Sequence, residues 1–371
     1  MREGAPLHYT RCMKAIVLVG GEGTRLRPLT YSRPKALVPV LGRPFLLHFI
    51  EYLRGHGFDD VILAVAHGAD AIRAALGDGR DAGVRLTYVD EPVPLGSAGA
   101  IANCAPNLGE ETFLVANGDI VTDIDLSAML RQHRERPALV TVALISVEDP
   151  SGFGVAEIDE DERIRRFVEK PPPEEAPSSW ANAGLWMFEP QAVSFIPPGR
   201  SMVETDLFPS LADAGLLGGY RSGGYWIDLG TPRRYLQLHA DLLARSALCS
   251  DAEALIEPGA SIKQPVSIAR GAVVRQGARI EGAAVVGIGS EVASGALVTA
   301  SVLWERVIVE RGAVVRNSIV AEETVIGAGA VVEDATIGPG AAIEAGARTP
   351  HGLRLDPGER FPQAEAAQEL T

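Results

Sequence analysis

Residues 15–30 of the chain are Ala15-Ile16-Val17-Leu18-Val19-Gly20-Gly21-Glu22-Gly23-Thr24-Arg25-Leu26-Arg27-Pro28-Leu29-Thr30, and Pro34-Lys35 follow. The apolar run has the length and β-branched character of a strand that is buried on both faces of a parallel sheet. The glycine-rich turn therefore leaves the carboxyl end of a central strand, where ligands bind in open α/β sheets. Glycines let the backbone approach a ligand closely, and Arg25 and Lys35 supply positive charge. The stretch predicts a polyphosphate site.

Two common phosphate-binding loops do not fit this turn. A dinucleotide fingerprint needs a third glycine where the chain has Leu26, and a Walker loop needs Gly-Lys-Ser/Thr, which is absent. A glycine-rich surface turn remains the structural alternative, but the whole string is far more specific than a pair of glycines. It resembles the signature of the sugar-1-phosphate nucleotidyltransferases, GGxGTRLxPLT followed by PK, and every fixed position is present.

The resemblance implies roles for residues of this turn and of a second segment, Glu91-Pro92-Val93-Pro94-Leu95-Gly96-Ser97-Ala98-Gly99. The second segment is similar to the LGTAG sequence that binds the base in guanylyl-transferring members, with Ser97 in place of the usual threonine. Glu91 is an acceptor-only group that suits the two adjacent donors of guanine. The implied nucleotide-binding residues are Gly20, Gly21, Gly23, Thr24, Arg25, Glu91, Gly96, Ser97, Asn117 and Gly118.

A pair of aspartates suggests a magnesium site. Asp119 follows a buried apolar strand and Gly118, a glycine that would leave room for phosphate, and carboxylates at such strand ends suit Mg²⁺. A strand-end aspartate is otherwise a turn former. The family resemblance implies that Asp119 is a metal ligand and that Asp228, within a WxDxGTP-like segment, is its partner.

The acceptor half of the site is expected between these aspartates. Phe167-Val168-Glu169-Lys170-Pro171 resembles the family's FxEKP motif, in which the glutamate contacts sugar hydroxyls and the lysine contacts the sugar phosphate. The implied sugar-phosphate-binding residues are Gly154, Glu169, Lys170 and Asn182. Arg25, Lys35 and Lys170 are the implied catalytic cations, since a polyanion must be neutralised. The segment Glu204-Thr205-Asp206-Leu207-Phe208-Pro209 matches an ExDxFP helix and is interpreted mainly as structural.

Composition narrows the range of partners. Among 371 residues, 48 are acidic and 34 are basic, which gives a net charge of −14 and disfavours nucleic acid as a partner. Three scattered cysteines lack a paired spacing and suggest free thiols in a reducing compartment. Because apolar runs of about 18 residues and a signal-peptide core are not found, we expect a cytoplasmic protein without a membrane partner.

From about residue 250 the sequence becomes periodic. Aliphatic residues recur every six positions at Ile256, Ile262, Ile268, Val274, Ile280, Val286, Val292 and Val298, and again at Ile319, Val325, Val331, Ile337 and Ile343. This period resembles the left-handed parallel β-helix of hexapeptide-repeat proteins. The two sets are out of phase, so we expect a loop or irregular coil between them, near Trp304-Glu305-Arg306-Val307. The flat sides and open end predict a homo-oligomer formed through this domain.

The predicted fold is a Rossmann-like, mostly parallel α/β domain over residues 13–249, followed by a left-handed β-helix over residues 250–346. Residues 1–12 and 347–371 are expected to be loosely ordered extensions. The resemblance is closest to mannose-1-phosphate guanylyltransferases with a β-helix, and it implies Mg²⁺-dependent transfer from GTP to mannose 1-phosphate or a related sugar or cyclitol phosphate. Three alternatives remain: adenylyl, thymidylyl or uridylyl transfer to another hexose 1-phosphate, a non-catalytic regulatory subunit, and an added acyltransferase site in the β-helix. Residues 250–346 contain no histidine to serve as the base of that last activity.

Overall fold

The computed structural model describes residues 13–245 and 251–362. The helices of the first range are α1 (Phe45–Gly55), α2 (Ala69–Leu76), α3 (Gly96–Cys104), α4 (Leu126–Glu135), α5 (Phe208–Asp213) and α6 (Pro232–Arg245). Its strands are β1 (Met13–Leu18), β2 (Pro39–Val40), β3 (Arg43–Pro44), β4 (Phe58–Val65), β5 (Arg85–Asp90), β6 (Phe113–Asn117), β7 (Ile120–Thr122), β8 (Val140–Ser146), β9 (Gly154–Ile158), β10 (Ile164–Glu169), β11 (Trp180–Phe188), β12 (Leu217–Ser222) and β13 (Trp226–Asp228). Strands and helices alternate through the first hundred residues, as expected of an α/β domain.

Within residues 13–245, nine strands form one mixed sheet in the order β10-β9-β11-β6-β1-β4-β5, with β8 beside β11 and β12 beside β8. The strands β6, β1, β4 and β5 are parallel to one another, whereas β11 is antiparallel to both of its long partners, β6 and β8. The strand that precedes the glycine-rich turn, β1, lies in the middle, and its residues Ala15, Ile16 and Val17 are fully buried. Its burial on both faces explains the continuous apolar run.

The chain forms two compact units, and each is built from two separate stretches of sequence. One unit contains residues 1–21 and 46–226, and the other contains residues 22–45 and 227–371. Most of the glycine-rich signature, from Glu22 onward, therefore belongs to the same unit as α6 and the periodic carboxyl-terminal region. The sequence boundary at residues 249 and 250 marks a change of repeat pattern, and the compact units follow a different division.

Within residues 251–362, short strands stack into three parallel sheets, the arrangement of a β-helix. The first sheet contains β14 (Leu255–Ile256), β17 (Val273–Val274), β20 (Glu291–Val292), β23 (Ile308–Val309), β26 (Val325–Ile326), β29 (Ala342–Ile343) and β31 (Arg360–Phe361). The second contains β15 (Ser261–Ile262), β18 (Arg279–Glu281), β21 (Leu297–Thr299), β24 (Val314–Arg316) and β27 (Val331–Glu333). The third contains β16 (Val266–Ile268), β19 (Ala284–Val286), β22 (Val302–Leu303), β25 (Ile319–Val320), β28 (Thr336–Ile337) and β30 (Arg354–Leu355).

The change of phase in the repeat comes from shorter coils and not from an irregular segment. Val274 pairs with Val292, whereas Val292 pairs with Val309, so the second of these coils is one residue shorter than the first. The next coil keeps the shorter length, since Val309 pairs with Ile326. Each short coil omits one residue at a corner between two sheets, and the ladder of paired strands continues. The expectation of a loop near Trp304 is therefore wrong, since β22 continues the ladder directly into Trp304.

The shorter coil also changes which residues point inward. The spacing of six correctly predicts the fully buried aliphatic residues from Ile268 to Val298. In the second set, Ile337 and Ile343 join the core as expected, but Val320, Ile326 and Val332 fill it where the sequence analysis placed Ile319, Val325 and Val331. Each is the immediate neighbour of the expected residue, because adjacent aliphatic residues on a strand face opposite sides.

The stack continues beyond residue 346. Thr336 pairs with Arg354 and Ala342 pairs with Arg360, so a further coil is built from residues that the sequence analysis placed in the extension starting at residue 347. Residues 1–12, Cys249 and residues 363–371 lie outside the described residues. In the described ranges, no helix is both long enough and apolar enough to cross a membrane.

Candidate active site

Glu91 lies beside the first glycine of the signature. A Cβ atom on Gly20 would lie 3.2 Å from Glu91 Oε1, and the Leu95 amide donates a hydrogen bond to Glu91 Oε2 at 3.1 Å. The missing side chain at Gly20 thus lets the end of β1 approach the turn that enters α3. The structure brings together two segments that the sequence analysis assigned separately to the nucleotide.

Gly23 makes the signature turn fold back on itself. It has a φ of +65°, and a Cβ atom there would lie 3.0 Å from Lys35 Cβ, while Thr30 Oγ1 donates a hydrogen bond to its carbonyl oxygen at 2.8 Å. A 3₁₀ turn, Thr24–Leu26, follows, with Leu26 fully buried and Arg25 exposed. The buried leucine anchors the turn and leaves the arginine side chain available to an anion.

The segment that opens α3 is tied to residues 201–204. The amides of Ala98 and Gly99 donate hydrogen bonds to the Ser201 carbonyl oxygen at 3.0 and 3.2 Å. A Cβ atom on Gly96 would lie 2.4 Å from that same oxygen, so only glycine fits there, and its φ is +75°. Ser97 Oγ accepts a hydrogen bond from the Val203 amide at 2.9 Å. The small residues of this segment therefore serve a close backbone approach to residues 201–203.

Gly118 has a different role from the one expected. A Cβ atom there would lie 2.5 Å from a methyl carbon of Val19 and 2.8 Å from the Leu18 carbonyl oxygen. The space beside the Gly118 Cα is therefore occupied by the end of β1 and the residue that follows it. The missing side chain makes room for the neighbouring strand, where the sequence analysis had expected room for phosphate. Asn117 packs against Gly184, which has a φ of +72°. Asp119 follows at the end of β6 and is partly exposed.

The predicted acceptor residues are brought together at the end of β10. Lys170 Nζ donates a hydrogen bond to Glu169 Oε1 at 2.6 Å, and a Cβ atom on Gly154 would lie 2.8 Å from Glu169 Oε2. Lys170 has a φ of +47°, a backbone conformation that non-glycine residues rarely adopt and that concentrates at functional sites. Its amide is held by the Phe153 carbonyl oxygen at 2.9 Å. A carboxylate and a cation thus share one strand end.

The side-chain oxygen of Asn182 is hydrogen-bonded within its own strand, β11. Its side-chain oxygen accepts hydrogen bonds from the Gly184 amide and from Trp186 Nε1, both at 2.9 Å. A sugar hydroxyl could therefore be met by its amide hydrogens. Nearby, Trp226 Nε1 donates to the Ala183 carbonyl oxygen at 2.8 Å, and its ring packs edge-on against Phe153 at 5.7 Å.

Glu204 is a further candidate for the site, in the motif that the sequence analysis interpreted mainly as structural. It lies in a short π-helical segment, Val203–Leu207, and such segments are frequent at functional sites. Ser97 Oγ donates a hydrogen bond to its Oε2 at 3.1 Å. Burial raises the pKa of Glu204 above its ordinary value, and the nearby Glu169 carboxylate adds to the rise while Lys170 opposes it. Glu204 therefore lies close to both the Ser97 segment and the Glu169-Lys170 pair.

Asp228 is paired with an arginine in this structure. Arg234 Nη1 donates a hydrogen bond to Asp228 Oδ1. On the other side, a Cβ atom on Gly230 would lie 2.9 Å from Asp228 Oδ2 and 3.2 Å from Arg25 Nη2, so glycine allows the carboxylate and the Arg25 guanidinium to flank it. Asp228 is in the unit that contains residues 22–45 and 227–371, whereas Asp119 is in the other unit.

Asp119 and Asp228 each offer carboxylate oxygens. Carboxylate oxygens are preferred ligands of Mg²⁺, which is commonly bound by one or two carboxylates together with substrate phosphates and water. In residues 13–245 and 251–362, no group of three or more His, Cys, Asp or Glu side chains is clustered tightly enough to hold a metal alone. A metal ion here would therefore need ligands from the nucleotide as well.

The fold and these residues define an α/β nucleotide-binding protein with an attached β-helix. Residues 14–245 match the nucleotidyl transferase family, and residues 262–349 match the GMPPB C-terminal domain. The chain therefore belongs to the nucleotidyl transferase family, and the family resemblance inferred from the signature is confirmed.

Individual relatives differ in the base that their names imply. The mannose-1-phosphate guanylyltransferase of Mycobacterium tuberculosis is 40% identical over 262 residues, which are 68% of this chain and 72% of the relative. The UTP–glucose-1-phosphate uridylyltransferase of a Synechocystis strain is 36% identical, over 63% of this chain and 64% of its own length. The crystal structure of HddC from Yersinia pseudotuberculosis complexed with GMP-PN superposes with a TM-score of 0.53 at 26% identity, covering 61% of this chain and 97% of that one.

Proposed function

We propose that this protein transfers a guanylyl group from GTP to mannose 1-phosphate or a related sugar or cyclitol phosphate, giving the NDP-sugar and pyrophosphate. The observation that supports it is the position of the Glu91 carboxylate, between Gly20 of the signature and the Leu95 amide at the start of α3. A carboxylate there can accept both adjacent donors of guanine, whereas adenine offers one donor and one acceptor. The 40% identity to a guanylyltransferase supports the same base.

The proposed chemistry is a direct displacement at phosphorus. An oxygen of the sugar phosphate attacks the α-phosphorus of the NTP, and the bond to the bridging oxygen breaks to release pyrophosphate. Because phosphate is itself a competent nucleophile, the protein needs to align two anions and neutralise their charge. We assign Arg25 and Lys35 to the triphosphate and Lys170 to the sugar phosphate. Glu169 and the amide of Asn182 contact sugar hydroxyls.

We further propose that Asp119 and Asp228 hold Mg²⁺ together with substrate oxygens. The ion would supply positive charge to the triphosphate, which the two carboxylates alone would repel. Arg234 pairs with the Asp228 carboxylate in this structure, so the ion would have to share or replace that contact. In the cytoplasm, which we propose as the compartment, the buried free thiol of Cys104 would remain reduced.

The β-helix is proposed to join copies of this chain into a homo-oligomer. One of its faces, the outward side of the first sheet, carries Leu255 and Ile308, which are 53% and 43% exposed. Val273 and Val325 lie in the same column and are half-buried. This column is mostly apolar, with Glu291 lying between Val273 and Ile308, and it is a surface that a second copy could cover.

The base assignment is tested by measuring pyrophosphate release from four NTPs and dTTP, each with a panel of sugar 1-phosphates, with and without Mg²⁺. A site that meets both guanine donors leaves a buried acceptor unpaired with adenine, at a cost of about 1–3 kcal/mol. We expect kcat/KM for GTP to exceed that for ATP by at least about tenfold. Glu91→Gln should narrow this ratio, because an amide replaces one acceptor with a donor yet can still accept the Leu95 hydrogen bond.

Asp90→Asn is the matched control, because Asp90 is the neighbouring carboxylate but pairs with Arg73 at 2.5 Å. It should leave the GTP to ATP ratio unchanged. Equal use of ATP, or a preference for UTP or dTTP, would refute the guanine assignment. The 36% identical uridylyltransferase makes UTP the most informative competitor. Complete inactivity with every pair of substrates would instead favour a regulatory subunit.

A further inference from the structure

Most of the glycine-rich signature, from Glu22 onward, is structurally part of the β-helix unit. Residues 22–45 and 227–371 form one compact unit, although they are far apart in the sequence. Three groups of contacts within this unit connect the signature segment to α6 and to the stacked coils.

The first group of contacts surrounds Arg33. Its Nη2 atom lies 3.0 Å from Glu322 Oε1 and 3.9 Å from Glu305 Oε2, two carboxylates on successive coils. Its guanidinium also lies over the Trp304 ring, 5.3 Å from the centroid. The side chains of Arg33, Glu305 and Glu322 are 28%, 24% and 16% exposed, so water screens these contacts less than it screens surface pairs.

The second group is a buried chain of hydrogen bonds. Trp304 Nε1 donates to Tyr235 Oη at 2.9 Å, and Tyr235 Oη in turn donates to the Pro39 carbonyl oxygen. The Leu41 amide donates to His239 Nε2 at 3.2 Å. Tyr235 is fully buried and His239 nearly so. This chain links a β-helix coil, helix α6 and the carboxyl end of the signature segment.

The third contact reaches the signature turn itself. Arg354, on β30, donates hydrogen bonds from Nη1 to the carbonyl oxygens of Arg27 and Arg25, at 3.1 and 3.3 Å. These carbonyls flank Leu26 at the carboxyl end of the 3₁₀ turn, where a cation is favoured. Because the two peptide planes are held, the Cα position from which the Arg25 side chain extends is held as well.

We propose that Arg354 is a positioning residue for the nucleotide, and that the β-helix thereby keeps the triphosphate-binding turn in its productive conformation. This extends the role expected from the sequence, which was assembly alone. The proposal rests on the proposed function only for the identity of the ligand. A guanidinium placed on two carbonyls orders the turn before substrate arrives, which lowers the entropic cost of binding.

The kinetic test compares Arg354→Ala with wild type and with Arg360→Ala. Arg360 is the matched control, since it is an exposed arginine on the next strand, β31, and pairs with Glu344 at 2.8 Å. We expect Arg354→Ala to raise KM for the NTP about three- to tenfold while KM for the sugar phosphate changes less than about twofold. Arg354→Lys should restore part of the loss, and Arg360→Ala should behave as wild type.

A second measurement does not depend on substrate. Amide hydrogen exchange at Leu26 and Arg27, both donors within the turn, should be several-fold faster in Arg354→Ala than in Arg360→Ala, at similar melting temperature. Unchanged exchange, or an equal rise in KM for both substrates, would overturn the proposal. Faster exchange in an enzyme that uses no NTP would refute the proposed function and leave the positioning role intact.

Discussion

Glu204 is a carboxyl group held where its charge is disfavoured. It lies between Ser97 of the proposed base segment and the Glu169-Lys170 pair, and burial raises the pKa of its carboxyl. A group whose pKa is raised on folding destabilises the folded state at pH values above its ordinary pKa of about 4.3. Side chains that weaken the fold in this way are concentrated at functional sites. We therefore predict that Glu204 binds a hydroxyl of the acceptor sugar.

Glu204→Gln tests this role through activity and stability together. We expect KM for the sugar phosphate to rise about tenfold while KM for the NTP changes little, because one charge-assisted hydrogen bond is weakened. The variant should also melt at a higher temperature than wild type at pH 8. That difference should shrink as the pH falls below about 4.3, because Glu204 then becomes protonated in the unfolded chain as well as in the folded one. Thermal melts across this range would measure it.

Asp206→Asn provides the control for Glu204. Asp206 lies in the same π-helical segment, and its Oδ2 accepts a hydrogen bond from the Met202 amide at 2.7 Å. An asparagine can still accept that bond, so acceptor KM should stay near the wild-type value. If both variants changed sugar-phosphate KM equally, the effect would belong to the segment and the assignment of Glu204 would be wrong.

At the scale of the elements, each coil of the β-helix shows separately which residue of a strand points into the core. The shorter coils place Ile326 in the core, where it is fully buried, and turn its neighbour Val325 outward, where it is half-buried. Each coil packs its aliphatic residues on those of the coils before and after it, so the core is one continuous stack of aliphatic side chains. Removing a side chain from this core leaves a cavity that the neighbouring coils can close only in part.

The assignment of inward residues predicts unequal costs for two adjacent substitutions. Ile326→Ala should lower the free energy of unfolding by about 2–5 kcal/mol, since it deletes fully buried methylene and methyl groups. Val325→Ala should cost about 1 kcal/mol or less, because the side chain is partly hydrated already. Denaturant titration of the full chain, following the transition that includes the β-helix, measures both. A larger cost at Val325 would mean that the hexapeptide register of the sequence analysis was right.

At the scale of the whole molecule, the outward column of the first sheet is the surface proposed to pair two copies. Ile308→Lys places a charge at the centre of that column and should shift the protein towards smaller species in sedimentation velocity at micromolar concentration. Glu291 lies opposite Ile308 on the neighbouring strand but already pairs with Arg275. Burying a lysine here is therefore costly, and the shift should exceed tenfold in the dissociation constant.

The control for this surface is Thr299→Lys. Thr299 points away from the core on the second sheet, and a lysine there should leave the sedimentation profile unchanged. A wild-type protein that sediments as a monomer would contradict the proposal directly. An oligomer that Ile308→Lys does not affect would show that copies meet through a different surface.

The sequence alone predicted the elements whose signals are local. The apolar run before the signature becomes the central strand β1, as its length and β-branched character predict. The period of six predicted parallel stacking, because an aliphatic residue on each side of every coil is a repeated local requirement. The signature string also established the family, since its fixed residues serve one turn whose geometry depends on its own glycines.

Tertiary structure decided which distant residues meet. Glu204 is next to Ser97 because residues 201–203 hydrogen-bond to the start of α3, and Arg354 meets the signature turn because that turn belongs to the β-helix unit. The sequence also left the register of the later coils one residue uncertain. In Val325-Ile326 or Val331-Val332 both residues are aliphatic, and only the pairing between coils selects the one that points inward. A local pattern predicts whether a residue points into the core or towards solvent. A contact between distant residues depends on how their separate elements pack against each other in the tertiary structure.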